Sequence, residues 1–156
     1  MNVIYAQRPF EVVVKPAIFL AGPTPRSPEV PSWRPEALAL AEGMNFNGTL
    51  FVPETTGGDT FKNYNAQIQW EWQALDAASV ILFWVPRDIT TMPAFTTNVE
   101  FGLWCRSGKV VLGYPQTAAK MRYLHLLAER ENIPIHHTLA DSLAAAIKLA
   151  KTNLVG

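Results

Sequence analysis

Glu100 and Glu71 are the side chains whose settings in this sequence suggest chemistry. Glu100 closes Thr97-Asn98-Val99-Glu100 and is followed by Phe101-Gly102, a short way past an apolar run that ends at Val85. A carboxylate in the first turn of a helix is kept ionised by the N-terminal dipole, as a nucleophile at neutral pH must be. The same four residues also have the T-x-x-E form of a capping box, in which the glutamate only satisfies the helix start. The pattern leaves both readings open. Glu71 stands between Trp70 and Trp72, where a charge is costly to bury without a partner; a surface glutamate beside an interface tryptophan is the plainer alternative. Asp88 follows the apolar run after Pro86 and Arg87 and is the third candidate acid. Two carboxyls across a sugar are the usual equipment for cleaving a glycosidic bond, one as nucleophile and one handling the proton.

Other chemistries find less support. The turn Ala21-Gly22-Pro23-Thr24-Pro25-Arg26 holds a single glycine, so neither the dinucleotide fingerprint nor the P-loop is present. Thr24 and Arg26 remain able to meet a hydroxyl or a phosphate, and an ordinary solvated turn explains them equally well. The three histidines fall late in the chain, and His136-His137 on a strand point to opposite faces. No metal and no redox cofactor are expected. Cys105 is the only cysteine and reads as a small core residue.

These side chains need a scaffold. Val80 to Val85 is uninterruptedly apolar, as in a strand buried on both faces of a parallel sheet. Further strands are expected at Ala17–Ala21, Thr49–Val52, Val110–Gly113 and Ile133–His136. Between them fall helices over Trp33 to Glu42 with Ser32 as N-cap, Tyr64 to Ala77, Asn98 to Arg106, Thr117 to Glu131, and Leu139 to Lys151. In the second helix Ile68, Trp72, Leu75 and Ala78 recur at helical spacing and are expected to form its core face. Val3-Ile4-Tyr5 and Val12-Val13-Val14 suggest an edge strand or hairpin, which places residues 1–16 only loosely. Thr55 to Asn63, with Gly57-Gly58, reads as a mobile loop. The alternation predicts a doubly wound α/β sheet of about five parallel strands flanked by helices, in one domain. Ligands of such sheets bind beyond the carboxyl ends of the strands, which directs attention to residues 86–97.

Bulk properties narrow the partners. Thirteen basic residues balance thirteen acidic ones, so no net field recruits nucleic acid or an anionic membrane. No apolar run reaches the roughly 20 residues of a membrane span, and the N-terminus lacks the basic-then-apolar order of a signal peptide. A cytoplasmic location and a small-molecule ligand are expected.

Several segments, in order, resemble the nucleoside 2-deoxyribosyltransferase-like family: Ile18-Phe19-Leu20-Ala21-Gly22-Pro23, Phe51-Val52-Pro53-Glu54, Gln69-Trp70-Glu71, Phe83-Trp84-Val85-Pro86-Arg87 and Thr97-Asn98-Val99-Glu100-Phe101-Gly102. The resemblance spans roughly residues 17 to 125. It implies a flavodoxin-like fold, a homo-oligomer and cleavage of a nucleoside's N-glycosidic bond. In the family a glutamate attacks the anomeric carbon, and a second base or water resolves the glycosyl-enzyme. Glu100 matches that nucleophile. Glu71 aligns with an aspartate that binds and polarises the base, with Asp88 as a further proton-handling candidate. Gly22, Pro23, Thr24, Arg26, Arg87 and Asn98 are the expected substrate-binding positions. Two departures stand out: no acid lies between Ala94 and Thr97, and no tyrosine follows the first strand. A non-catalytic nucleotide- or metabolite-binding module, with Glu100 only capping its helix, is the alternative.

Overall fold

A computed structural model describes residues 1–56 and 63–154. Six parallel strands form one sheet: β1 Asn2–Tyr5, β2 Ala17–Ala21, β3 Thr49–Val52, β4 Val80–Trp84, β5 Val110–Gly113 and β6 Ile135–His136, in the order β1-β3-β2-β4-β5-β6. Five helices connect them: α1 Arg34–Gly43, α2 Tyr64–Ala77, α3 Phe95–Trp104, α4 Arg122–Arg130 and α5 Leu139–Thr152. From β3 to β6 this is the flavodoxin-like order, extended at one edge by β1. Val3-Ile4-Tyr5 is thus a parallel edge strand paired with β3, whereas Val12-Val13-Val14 forms no strand.

Each face of the sheet buries its own core. Phe19, Phe51, Ile81, Phe83 and Leu112 meet α2, α3 and α4 on one side; Ile18, Leu20, Leu50, Leu82 and Val111 meet α1 and α5 on the other. Both faces being covered explains why β2, β3, β4 and β5 are buried throughout and read as continuous apolar runs rather than alternating ones. The chain leaves β2 toward β3 in one direction and β4 toward β5 in the other, so the order reverses between β2 and β4. That reversal opens a crevice beyond their carboxyl ends.

Four local expectations need correction. Trp72 is 61% exposed while Trp70 is buried, which turns the core face of α2 onto Gln67, Trp70, Ala74 and Leu75. Trp70 wins because Phe10, Phe19 and Phe51 surround it and its indole N–H donates to Arg8 O at 2.9 Å; a buried tryptophan needs such an acceptor. Second, α3 begins at Phe95 behind Ala94 in the left-handed conformation, with no side-chain cap. Glu100 is therefore the sixth helical residue, and the capping box does not form. Third, the N-cap position of α1 is Trp33, with no side-chain cap, while Ser32 one residue earlier accepts from the Arg34 backbone N–H at 3.2 Å; Gly43 is the helix's last residue. Fourth, residues 117–121 precede α4 instead of opening it. The expected loop at Gly57-Gly58 lies outside the described residues. Among those described, no helix is long and apolar enough to cross a membrane.

Candidate active site

The crevice holds a cavity of about 430 Å³ whose wall includes Gly22, Pro23, Thr24, Arg26, Glu71 and Glu100. Six of the nine residues singled out from sequence therefore meet in one place. Asp88, Arg87 and Asn98 are not among its lining residues.

The floor is set where β2 and β4 end side by side. Gly22 sits at φ +145°, and a Cβ there would lie 2.0 Å from the carbonyl oxygen of Trp84. Only glycine permits both that backbone and that approach. The chain then turns through Pro23, whose carbonyl accepts from the Trp33 indole at 3.1 Å.

Beneath this turn lies Arg34, only 1% exposed although it opens a helix. Its Nη1 donates to Glu54 Oε1 at 2.5 Å and to Thr24 Oγ1 at 3.1 Å, its Nη2 to Gly22 O at 2.8 Å, and its Nε to Leu20 O at 3.2 Å. Ser32 Oγ supports the same glutamate at 2.8 Å. A buried guanidinium bonded on every side fixes the ends of β2 and β3 and α1 as one unit. Its field also reaches Glu71 and Glu100.

The two carboxyls come from facing helices. Once Gln67 and Trp70 define the inner face of α2, Glu71 follows Gln67 by one turn and is drawn to the cavity. Gln67 Nε2 donates to Glu71 Oε1 at 2.6 Å. Glu100 arrives from the second turn of α3, on the side of buried Thr97 and Phe101. Among the described residues its carboxyl makes no hydrogen bond. Burial, and then the charge of Glu71, push Glu100 up to about 8, with Arg34 opposing. Burial also raises Glu71 above the usual carboxylate range, against the Gln67 hydrogen bond and Arg34. The helix dipole therefore does not hold Glu100 ionised, contrary to expectation: it falls off within the first turn, and Glu100 lies beyond it. The charge of Glu71 acts on Glu100, so the two carboxyls do not titrate independently.

Asp88 does something else. Its Oδ1 accepts from Thr90 N at 3.0 Å, Thr91 N at 2.8 Å and Thr91 Oγ1 at 2.9 Å, bonds that keep this exposed carboxylate below its ordinary range. The turn so shaped presents Thr91 O to the backbone N–H of Arg26 at 3.1 Å. Asp88 thus supports the cavity's rim from outside. Arg87 donates to Asn98 Oδ1 and to Lys120 O, tying the end of β4 to α3 and the following loop. Arg26 reaches the mouth of the cavity, 5.5 Å above the Phe95 ring.

Sequence reasoning missed Arg34, Glu54 and Gln67. The first two left a trace: a cation in the first turn of a helix opposes the dipole and calls for an acid, and Glu54 is the acid at the end of β3. Gln67 could be found only once the face of α2 was correctly assigned. Among the described residues no three His, Cys, Asp or Glu side chains converge as metal ligands.

A family model described as "Nucleoside 2-deoxyribosyltransferase like" matches residues 15–118, a stretch that runs from the approach to β2 past β5 and contains the whole cavity wall. No curated protein gives a significant match. With two-thirds of its length matched, from residue 15 to residue 118 of 156, this chain belongs to the nucleoside 2-deoxyribosyltransferase-like family.

Proposed function

We propose that the protein cleaves the N-glycosidic bond of a 2-deoxynucleoside or its 5′-phosphate, passing the deoxyribosyl group to another base or to water through an ester on Glu100. The observation that carries this reading is the pair of coupled, largely buried carboxyls facing one cavity at the sheet's reversal point. One proton shared by two acids supplies a nucleophile and an acid together.

The working state has Glu100 ionised and Glu71 protonated. Glu71 delivers its proton to a ring nitrogen of the departing base while Glu100 attacks the anomeric carbon. The C–N bond breaks, the ester C–O bond forms, and Glu71 is left anionic. In the second half Glu71 takes a proton from the incoming base or water as that nucleophile displaces Glu100. Gly22, Pro23 and Thr24 shape the sugar's side of the cavity, and Arg26 is placed to meet a hydroxyl or phosphate at its mouth.

Incubation with 2-deoxynucleosides and free bases, followed by chromatography, should yield exchanged nucleosides or free base. No product from a broad panel of nucleosides and 5′-monophosphates would overturn the reading. The pH profile tests the division of roles. Because Glu71 must carry a proton, kcat/KM should fall as the free pair loses its last proton, near pH 8. A kcat/KM that instead rises through pH 8 would show that the proton is not needed.

Self-association belongs to the same proposal. Tyr64 and Trp72 on α2 and Phe95, Val99 and Leu103 on α3 are each more than 60% exposed and form uncharged stripes at helical spacing. Tyr64 and Phe95 also line the cavity. Such a patch is unusual on a monomer, and a second copy on it would cover the cavity's rim. Sedimentation should show an oligomer that Val99→Asp with Leu103→Asp dissociates; a monomeric wild type would contradict this part.

A further inference from the structure

The two carboxyls of the cavity are unequally supported. Gln67 is 2% exposed, and its Nε2–H is committed to Glu71 Oε1 at 2.6 Å. Its own Oε1 is buried and without a partner among the described residues, so this amide gives a hydrogen bond to the site and receives none. Glu100, on the opposite wall, has no donor at all among the described residues. A hydrogen bond donated to a carboxyl favours its charged form, while a buried carboxyl with no donor favours the neutral one.

We infer that in the empty site the shared proton rests on Glu100, and that Gln67 is the positioning residue that keeps it there by holding Glu71 as the anion. The inference rests on the proposed division of labour and sharpens it. The free protein stands in the opposite arrangement from the working one, with its nucleophile masked as a carboxylic acid. Substrate must reverse the arrangement before attack: Glu100 gives its proton up to solvent, and Glu71 takes one from solvent as a basic ring nitrogen of the substrate comes to face it. No proton is gained or lost by the pair. The other charged groups are compatible with this direction. Arg34 is neutralised by Glu54 and acts on both carboxyls, on Glu71 ahead of Glu100, so its pull runs in the same direction. Arg26 stands at the rim on the α3 side, over the Phe95 ring. Gln67 is the one group that distinguishes the two acids by direct contact.

An isolated glutamate masked in this way also protects the site. An ionised nucleophile in a water-accessible cavity is open to stray electrophiles, whereas a carboxylic acid is not nucleophilic. Activation that waits for a base with an acceptor nitrogen restricts attack to substrates that bring one.

The test is carboxyl NMR on the free protein with glutamate labelled at 13Cδ, assigned through Glu71→Gln and Glu100→Gln. In the wild type the titration step near pH 8 should appear mainly on the Glu100 resonance. In Gln67→Met, similar in volume but with no donor, a large share of that step should move to Glu71. Gln67→Asn, too short to reach the next helical turn, should behave like Gln67→Met. A wild-type step carried by Glu71, or one whose distribution is unchanged in both variants, would overturn the inference. The wild-type arm decides even if both variants fold poorly. Because no substrate is involved, a negative result here is distinct from a failure to find turnover. Where turnover is present, Gln67→Met should change the pH profile of kcat/KM, which a merely structural residue would leave in place.

Discussion

Glu100→Gln will reduce turnover by about 10⁴-fold or more, the scale on which removal of a covalent nucleophile acts, and will make the folded protein more stable above neutral pH. The second effect follows from the site's electrostatics. The carboxyl has an ordinary value of 4.5 and stands at about 8 when folded. Between those values the folded state holds a proton that the unfolded chain has released, so stability falls as pH rises through this window and levels off above it. Glutamine keeps the shape of the neutral acid and does not titrate, so Glu100→Gln should flatten this slope. The difference should reach roughly 2–4 kcal/mol at pH 8.5 and largely vanish near pH 4.5. Urea unfolding at a series of pH values reads it directly. Activity lost together with stability gained is the signature of a site that holds a costly charge for its chemistry. Lost activity with lost stability at every pH would instead assign Glu100 a structural role.

Arg34→Ala should be the most damaging single change to the fold. It removes a side chain 1% exposed, takes away the bonds it gives to the carbonyls of Leu20 and Gly22, and leaves Glu54 Oε1 with the Ser32 hydroxyl but without its cation. Breaking a buried pair by deleting one partner costs about 3–5 kcal/mol, which for a chain of this size lowers Tm by roughly 10 °C. Arg34→Lys should recover only part of this, since an ammonium cannot reproduce the guanidinium's spread of bonds. Losing the cation also removes the influence that opposes the rise of Glu100, so the titration of the carboxyl pair should move further up. Equal stability of Arg34→Ala and wild type by thermal unfolding would contradict the role given to this network.

The parts of this protein legible from its sequence share one physical cause. Strands buried on both faces must be apolar throughout, so Ala17–Ala21, Thr49–Val52 and Val110–Gly113 stand out with the boundaries observed, and the run Val80–Val85 overshoots its strand by one residue. Helix faces were harder. In α2 both Trp70 and Trp72 satisfy an apolar pattern, and the decision fell to Phe10, Phe19 and Phe51, which approach from elsewhere in the chain. That decision in turn places Gln67 and Glu71. The start of α3 was obscured because Thr97-Asn98-Val99-Glu100 resembles a cap, whereas the helix begins behind left-handed Ala94 with no side-chain signal. Glu100 stands out in the sequence as a nucleophile candidate, but its environment does not: a first-turn dipole predicts an ionised carboxylate, and burial beside Glu71 does the reverse. Charge-pair networks such as Arg34 with Glu54 join residues twenty positions apart: the sequence shows a cation that calls for an acid, and only folding shows which acid answers it.

The central claim is a covalent bond to Glu100. Incubating the protein with a 2-fluorinated 2-deoxynucleoside should slow the second half of the reaction and trap the intermediate. Digestion and mass spectrometry should then find the added fluorodeoxyribosyl mass on the peptide containing Glu100, and none in Glu100→Gln. The same mass on Glu71 or another residue, or an unmodified protein that still turns the compound over, would contradict the account.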